Sequence, residues 1–136
     1  MAGIVKTDEL LEMVSPEIQD GEYVFCTVAG NCADYSHLRP LASFVESEGL
    51  TLIILKEDAD KVRLPYDNIF KQITLNVHSS LSAVGFTAAI ATKLASHGIS
   101  ANVVAAYYHD HVFVPTEKAE KALLALQELG PAKRNS

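Results

Sequence analysis

FKQITLNVHSSLSAVGFTAAIATKLASHGISANVVAAYYHDHVFVP, residues 70–115, changes its hydrophobic period twice. From Phe70 to Val77, apolar Ile73, Leu75 and Val77 alternate with polar Gln72, Thr74 and Asn76, the two-residue period of a half-buried strand. From Leu81 the apolar positions become Leu81, Val84, Ala88, Ala91, Leu94 and Ala95, steps of three and four that line one side of a helix. Ser79, Ser80 and Ser82 are residues that cap a helix start, and Gly98 is one that ends it. Two strands around a short polar turn complete the stretch, so the unit runs strand, loop, helix, hairpin.

That order, with a glycine near the helix start and a further helix after the hairpin, resembles the ACT domain, a ferredoxin-like βαββαβ module. VHSSLSAVGFTA (77–88), ISANVVAAYYHDHVFVP (99–115) and EKAEKALLAL (117–126) are similar to the small stand-alone ACT-like proteins of bacteria. More distantly, they are similar to the ACT repeats of cytosolic arginine sensors. The resemblance covers residues 70–129 and, more loosely, 20–64. It implies an α+β fold of two tandem ACT-like halves, with an antiparallel sheet and helices packed on one face. The halves are a degenerate N-terminal one at 1–66 and a C-terminal ACT domain at 67–130, followed by a polar tail at 131–136.

An internal repeat brings the first half into line with the second. A shift of 60 residues lays Leu52–Val62 on Val112–Ala122, matching Glu57, Ala59 and Lys61 in type with Glu117, Ala119 and Lys121. The same shift makes Leu41–Val45 a strand and ESEGLT a hairpin turn, although LASFVE alone would suit either strand or helix. Upstream, Thr7 can cap a short helix that Ser15-Pro16 ends, Tyr23–Val28 reads as a strand, and residues 30–38 read as a connection. The last helix begins at Thr116 or Glu117, buries Ala119, Ala122, Leu123, Leu126 and Leu129, and stops at Gly130-Pro131. No strand follows it, whereas an ACT module closes with one. Tyr23–Val28 is expected to fill that place, with Phe70–Val77 serving both halves.

Composition narrows the function classes. Seventeen acids against eleven bases, a formal charge of -6, provide no basic patch for nucleic acid. No apolar run is long enough to span a bilayer, and MAGIVKTDELL has acids where a signal peptide would be apolar, so a soluble cytoplasmic protein is expected. Cys26 and Cys32 form neither a CxxC motif nor a structural zinc set and are expected as reduced thiols.

Several residues carry candidate chemistry, each beside a plainer reading. His109-Asp110-His111, with His78, would be the ligands of a small metal-dependent enzyme, or simply the polar side chains of a turn. His78 beside Ser79 and Ser80 lacks a nucleophile elbow, which leaves capping as the serines' role. Tyr107 and Tyr108 end a strand and face opposite ways, so one of them at most lines a pocket. Asn102 interrupts an apolar run and is either a pocket position or an exposed strand face.

The resemblance implies amino-acid binding by a regulatory module that has no catalytic activity and no cofactor, works on an unknown protein partner and forms a homodimer. Its ligand would sit between the Ser79–Gly85 loop and the Tyr107–His111 turn. The expected contacts are Ser79, Ser80, Ser82, Val84, Gly85, Asn102, Tyr107, His109 and Asp110. In that arrangement backbone N–H groups at the helix start receive the carboxylate and Asp110 receives the ammonium. Asp110 and Gly85 fall on a ligand-contacting residue and a glycine of the arginine sensors, although the residues around them differ. A purely structural interaction protein is the remaining alternative.

Overall fold

A computed structural model describes residues 6–77 and 81–130. In chain order the elements are α1 (Thr7–Met13), β1 (Pro16–Ile18), β2 (Tyr23–Val28), a 3₁₀ helix (Cys32–Leu38), β3 (Ala42–Val45), β4 (Leu50–Leu55) and α2 (Lys56–Lys61). They continue with β5 (Phe70–Leu75), α3 (Phe86–Ala95), β6 (Asn102–Ala105), β7 (Asp110–Pro115), a 3₁₀ turn (Thr116–Lys118) and α4 (Ala119–Gln127). The fold is α+β and ferredoxin-like, with an antiparallel sheet. The chain divides into two compact units, residues 21–70 and residues 1–20 together with 71–136. In space, then, residues 6–20 lie with the C-terminal part.

In the unit formed by 1–20 and 71–136, the strand order is β1-β5-β7-β6. Along Ile73–Leu75 the strand beside β5 is β1; Tyr23–Val28, which the sequence put there, pairs with β5 only at Tyr23↔Phe70, within the unit of residues 21–70. Pro16, Glu17 and Ile18 lie antiparallel to Leu75, Thr74 and Ile73. Backbone bonds from Gln19 N–H to Gln72 O (2.8 Å) and from Asn76 N–H to Ser15 O (3.0 Å) lengthen that ladder. Pro16, which has no N–H to give, stands first in the strand, where a ladder tolerates it. The end of α4 leads to this strand, since a Cβ built on Gly130 would lie 3.5 Å from the Val14 carbonyl oxygen. The βαββαβ order is therefore completed out of chain order, as β5-α3-β6-β7-α4-β1.

Apolar residues of α1, α3 and α4 cover one face of these strands. Leu10, Val14, Phe86, Ile90, Leu94, Ala122 and Leu126 pack with Ile73, Leu75, Val112 and Val114. α3 starts five residues later than its apolar spacing suggested. Gly85 precedes it with φ 92°, a left-handed conformation that a residue with a Cβ resists, and the helix proper begins at Phe86. Its buried side is consequently Phe86, Ile90 and Leu94, while Leu81 and Val84 are 66% and 84% exposed. Lys6 rather than Thr7 holds the cap position of α1.

In the unit of residues 21–70, β2 pairs with β4 along its whole length, from Tyr23↔Leu55 to Val28↔Leu50, and β3 flanks β4 on the other side. Val24, Cys26, Leu38, Leu50, Leu52, Ile54 and Ala59 form its core. The connection read at 30–38 contains the 3₁₀ helix, whose start is closed by Asn31 and Asp34 capping each other's backbone. The sequence repeat is a structural one. β3 and β4 pair from Ala42↔Ile53 to Val45↔Leu50, β6 and β7 from Asn102↔Phe113 to Ala105↔Asp110, with every partner displaced by 60 residues. β4 and β7 also share one pattern of burial along their lengths.

Candidate functional site

The site begins at the β6-β7 hairpin. Ala106 N–H donates to His109 O (3.1 Å), closing a tight turn whose outer residues are Tyr107 and Tyr108. The two tyrosines are therefore not a strand end. They are exposed on the turn and pack edge to face, with ring centroids 5.0 Å apart and planes at 72°. His109 Nδ1 lies 3.4 Å from the Val77 carbonyl oxygen, which ties the turn to the end of β5 from which the chain runs towards α3. Turn and helix approach thus share one end of the unit.

At that end Gly85 sets the direction of α3. The Ala89 N–H to Gly85 O bond (3.0 Å) opens the helix, so the N–H groups of Phe86, Thr87 and Ala88 precede its internal ladder. Ser82 and Val84 lie exposed just before this start. Ser79, Ser80 and His78 lie outside the described residues. Asp110, the first residue of β7, is 6% exposed. Its repeat counterpart is Leu50, 2% exposed at the same place in β4. The fold thus accepts a hydrocarbon where this unit buries a carboxylate. Asn102 starts β6 at the end remote from the turn, where its amide donates to the Phe113 carbonyl oxygen (3.4 Å).

His109, Asp110 and His111 do not form one turn, because β7 begins at Asp110 and adjacent strand side chains point to opposite faces. Among the described residues no three His, Cys, Asp or Glu side chains come together as metal ligands. His111 belongs instead to a cluster that sequence reading missed. Its Nδ1 lies 3.1 Å from Gln72 Nε2 and 3.0 Å from Thr74 Oγ1, and both partners are buried. The alternation of β5 had suggested an exposed polar face for Gln72 and Thr74. An amide nitrogen only donates, so Nδ1 accepts and the neutral ring keeps its proton on Nε2. Burial first, then the neighbouring His109, pushes the His111 pKa down, with Asp110 opposing.

A pH dependence of stability follows. A histidine whose folded pKa lies below its unfolded value, near 6.5, contributes nothing adverse above that value. As pH falls through 6.5 towards the lower folded pKa, the unfolded chain takes up the proton first and stability drops. Urea midpoints measured across this window should fall with acidity, and His111→Gln should flatten the slope. An equal slope in the variant would assign the effect elsewhere.

The unit of residues 21–70 has a cleft of about 310 Å³ lined by Gly21, Glu22, Leu55, Lys56, Glu57 and Asp60. Lys56 Nζ lies 2.9 Å from Asp60, and the Tyr66 hydroxyl donates to the same carboxylate at 2.7 Å. These bonds hold the Asp60 pKa below the usual range and satisfy the cleft's lysine internally.

Comparison with known proteins is consistent with this geometry. ACT-domain family models match residues 2–71 and, separately, 70–128. A Vibrio cholerae protein of unknown function, described as a possible transport protein, is 56% identical. The match covers 90% of this chain and 94% of that one, with a TM-score of 0.84. An Agrobacterium tumefaciens protein is similar in fold at 16% identity, covering 85% and 88% with a TM-score of 0.70. So is the ligand-free regulatory subunit of aspartate kinase from Thermus thermophilus, at 12% identity, 85% and 95% coverage and a TM-score of 0.57. No curated protein matches the chain. No helix among the described residues is long and apolar enough to cross a membrane.

Proposed function

The chain belongs to the ACT-domain family, and from that premise we propose that it is an amino-acid-binding regulatory module, without catalytic activity of its own, that self-associates and acts on a separate protein. The observation that carries the ligand reading is Asp110, a carboxylate buried where the repeat has Leu50. A carboxylate at this end of the hairpin can take the ammonium of an amino acid in a charge-assisted bond. The carboxylate of the same ligand is received at the start of α3, where free N–H groups and the helix dipole favour negative charge. Gly85 lets it approach the backbone, Ser82, Val84, Tyr107 and His109 stand at the same end of the unit, and Ser79 and Ser80 are proposed contacts outside the described residues.

A thermal-shift screen of the purified chain against the common amino acids tests the reading. A binder at a hundred times its dissociation constant adds about 2.7 kcal/mol of stability. A rise in melting temperature of several degrees for one amino acid or a related group is the expected result. A flat response to all of them would overturn the reading in favour of a purely structural interaction protein.

A further inference from the structure

We propose that the amino acid taken at the Asp110 site is a neutral one with a large aliphatic or aromatic side chain lying on Val84 and Tyr107, and that basic and acidic amino acids are excluded. This rests on the amino-acid reading above and adds to it the class of side chain.

Strand alternation assigns the charges to faces. Asp110 shares its side of β7 with Val112 and Val114, which pack in the core with Phe86 and Ile90 of α3. Its carboxylate therefore belongs to the helix-bearing face, at the end where α3 begins. His111 is on the other face, bonded to Gln72 and Thr74. Glu17, opposite Thr74 in the β1-β5 register, goes with them.

On the helix-bearing face one charge is left. Residues 75–90 and 101–109 contain no Asp, Glu, Lys or Arg, so the approach to α3, the first half of that helix, β6 and its turn are matched with Asp110 alone. Asp8, Glu9 and Glu12 of α1 are exposed, and Glu128 of α4 lies 2.6 Å from Lys93. One carboxylate answers one ammonium. Arginine or lysine would bring a second positive charge for which these segments hold no second carboxylate. Glutamate or aspartate would bring a second negative charge to segments that hold no lysine or arginine. Only the ligand's own carboxylate has a match, at the N–H groups that open α3. Charge thus selects a neutral amino acid, by what it rejects.

Hydrocarbon makes the second selection. Leu81, Val84, Tyr107 and Tyr108 are each more than half exposed, and Ala83 packs half-buried against the core that contains Val77 and Phe86. Large apolar side chains gathered in the open mark a binding surface. A polar ligand side chain laid on them would give up water for hydrocarbon. An apolar one gains roughly fourfold in affinity for each methylene it buries.

Melting curves of the purified full chain, titrated with alanine, valine, leucine, phenylalanine, serine, arginine, lysine and glutamate, test the order. Leucine or phenylalanine should act at a concentration at least about tenfold below alanine, and arginine, lysine and glutamate should give no shift. Val84→Asp, at an exposed position, should keep the ligand-free melting temperature and weaken leucine about fivefold or more. Tyr107→Ala should weaken it likewise, so a fold defect in one variant leaves the other to decide. An order led by arginine, lysine, glutamate or serine overturns the side-chain class and leaves amino-acid binding standing, as does equal affinity for alanine and leucine. Unchanged leucine affinity in both variants overturns the placement on Val84 and Tyr107. No shift with any amino acid overturns the amino-acid reading and this inference with it.

Discussion

Deleting residues 1–20 is expected to abolish cooperative folding of the C-terminal unit, although every deleted residue lies at least fifty positions before its first strand. β1 covers the side of β5 away from β7, and α1 buries Leu10 and Val14 at 0% and 5% exposure against the core that contains Ile73 and Leu75. Full burial of one such aliphatic side chain is worth about 1.5–3 kcal/mol. Losing two of them with a strand's backbone pairing removes a large part of the roughly 5–15 kcal/mol by which a domain is stable. The fragment 67–130 should therefore behave as an expanded chain with no sharp urea transition. Attaching residues 7–20 after residue 130 through a flexible linker of about ten residues should restore folding, because Gly130 abuts Val14 and the linker need only run back along α1 to Thr7. A fragment 67–130 that melts cooperatively by itself would show that β1 and α1 are dispensable.

Asp110 should separate ligand binding from stability. Asp110→Asn keeps the size and removes the charge, so it should lose a charge-assisted bond worth about 1.5–3 kcal/mol, roughly ten- to a hundredfold in affinity. Its fold should be intact. Asp110→Leu should also lose the ligand response, yet melt within a few degrees of the parent or above it, since Leu50 occupies the same place in the repeat. Melting curves with and without the amino acid found by screening read both effects together. If Asp110→Asn binds that ligand as tightly as the parent, the site is wrong. If Asp110→Leu unfolds, the carboxylate is structural.

Local patterning was enough for much of the architecture. The switch of period from two to 3.6 and back placed β5, α3 and the β6-β7 hairpin, because burial of one face writes itself into neighbouring residues of the same element. The 60-residue repeat settled β3 as a strand and placed the first hairpin, since both copies bury corresponding positions. Asn31 and Asp34, three apart, were a readable helix-start signal inside a stretch taken as a loop.

Elsewhere the deciding interactions are distant in sequence. Three residues of β1 are too few to display a period, and only the backbone of β5 makes them a strand. Leu81 and Val84 fit the helical spacing of α3, but the left-handed Gly85 puts them outside it. Gln72 and Thr74 look like a solvated face until His111, from another strand, bonds to both. The chain itself determined most of the strands and helices, β1 and the 3₁₀ helix apart, because those choices rest on contacts a few residues apart. Tertiary structure alone decided that the N-terminal segment completes the C-terminal unit and that Asp110 is buried, because both depend on strands brought together from distant parts of the chain.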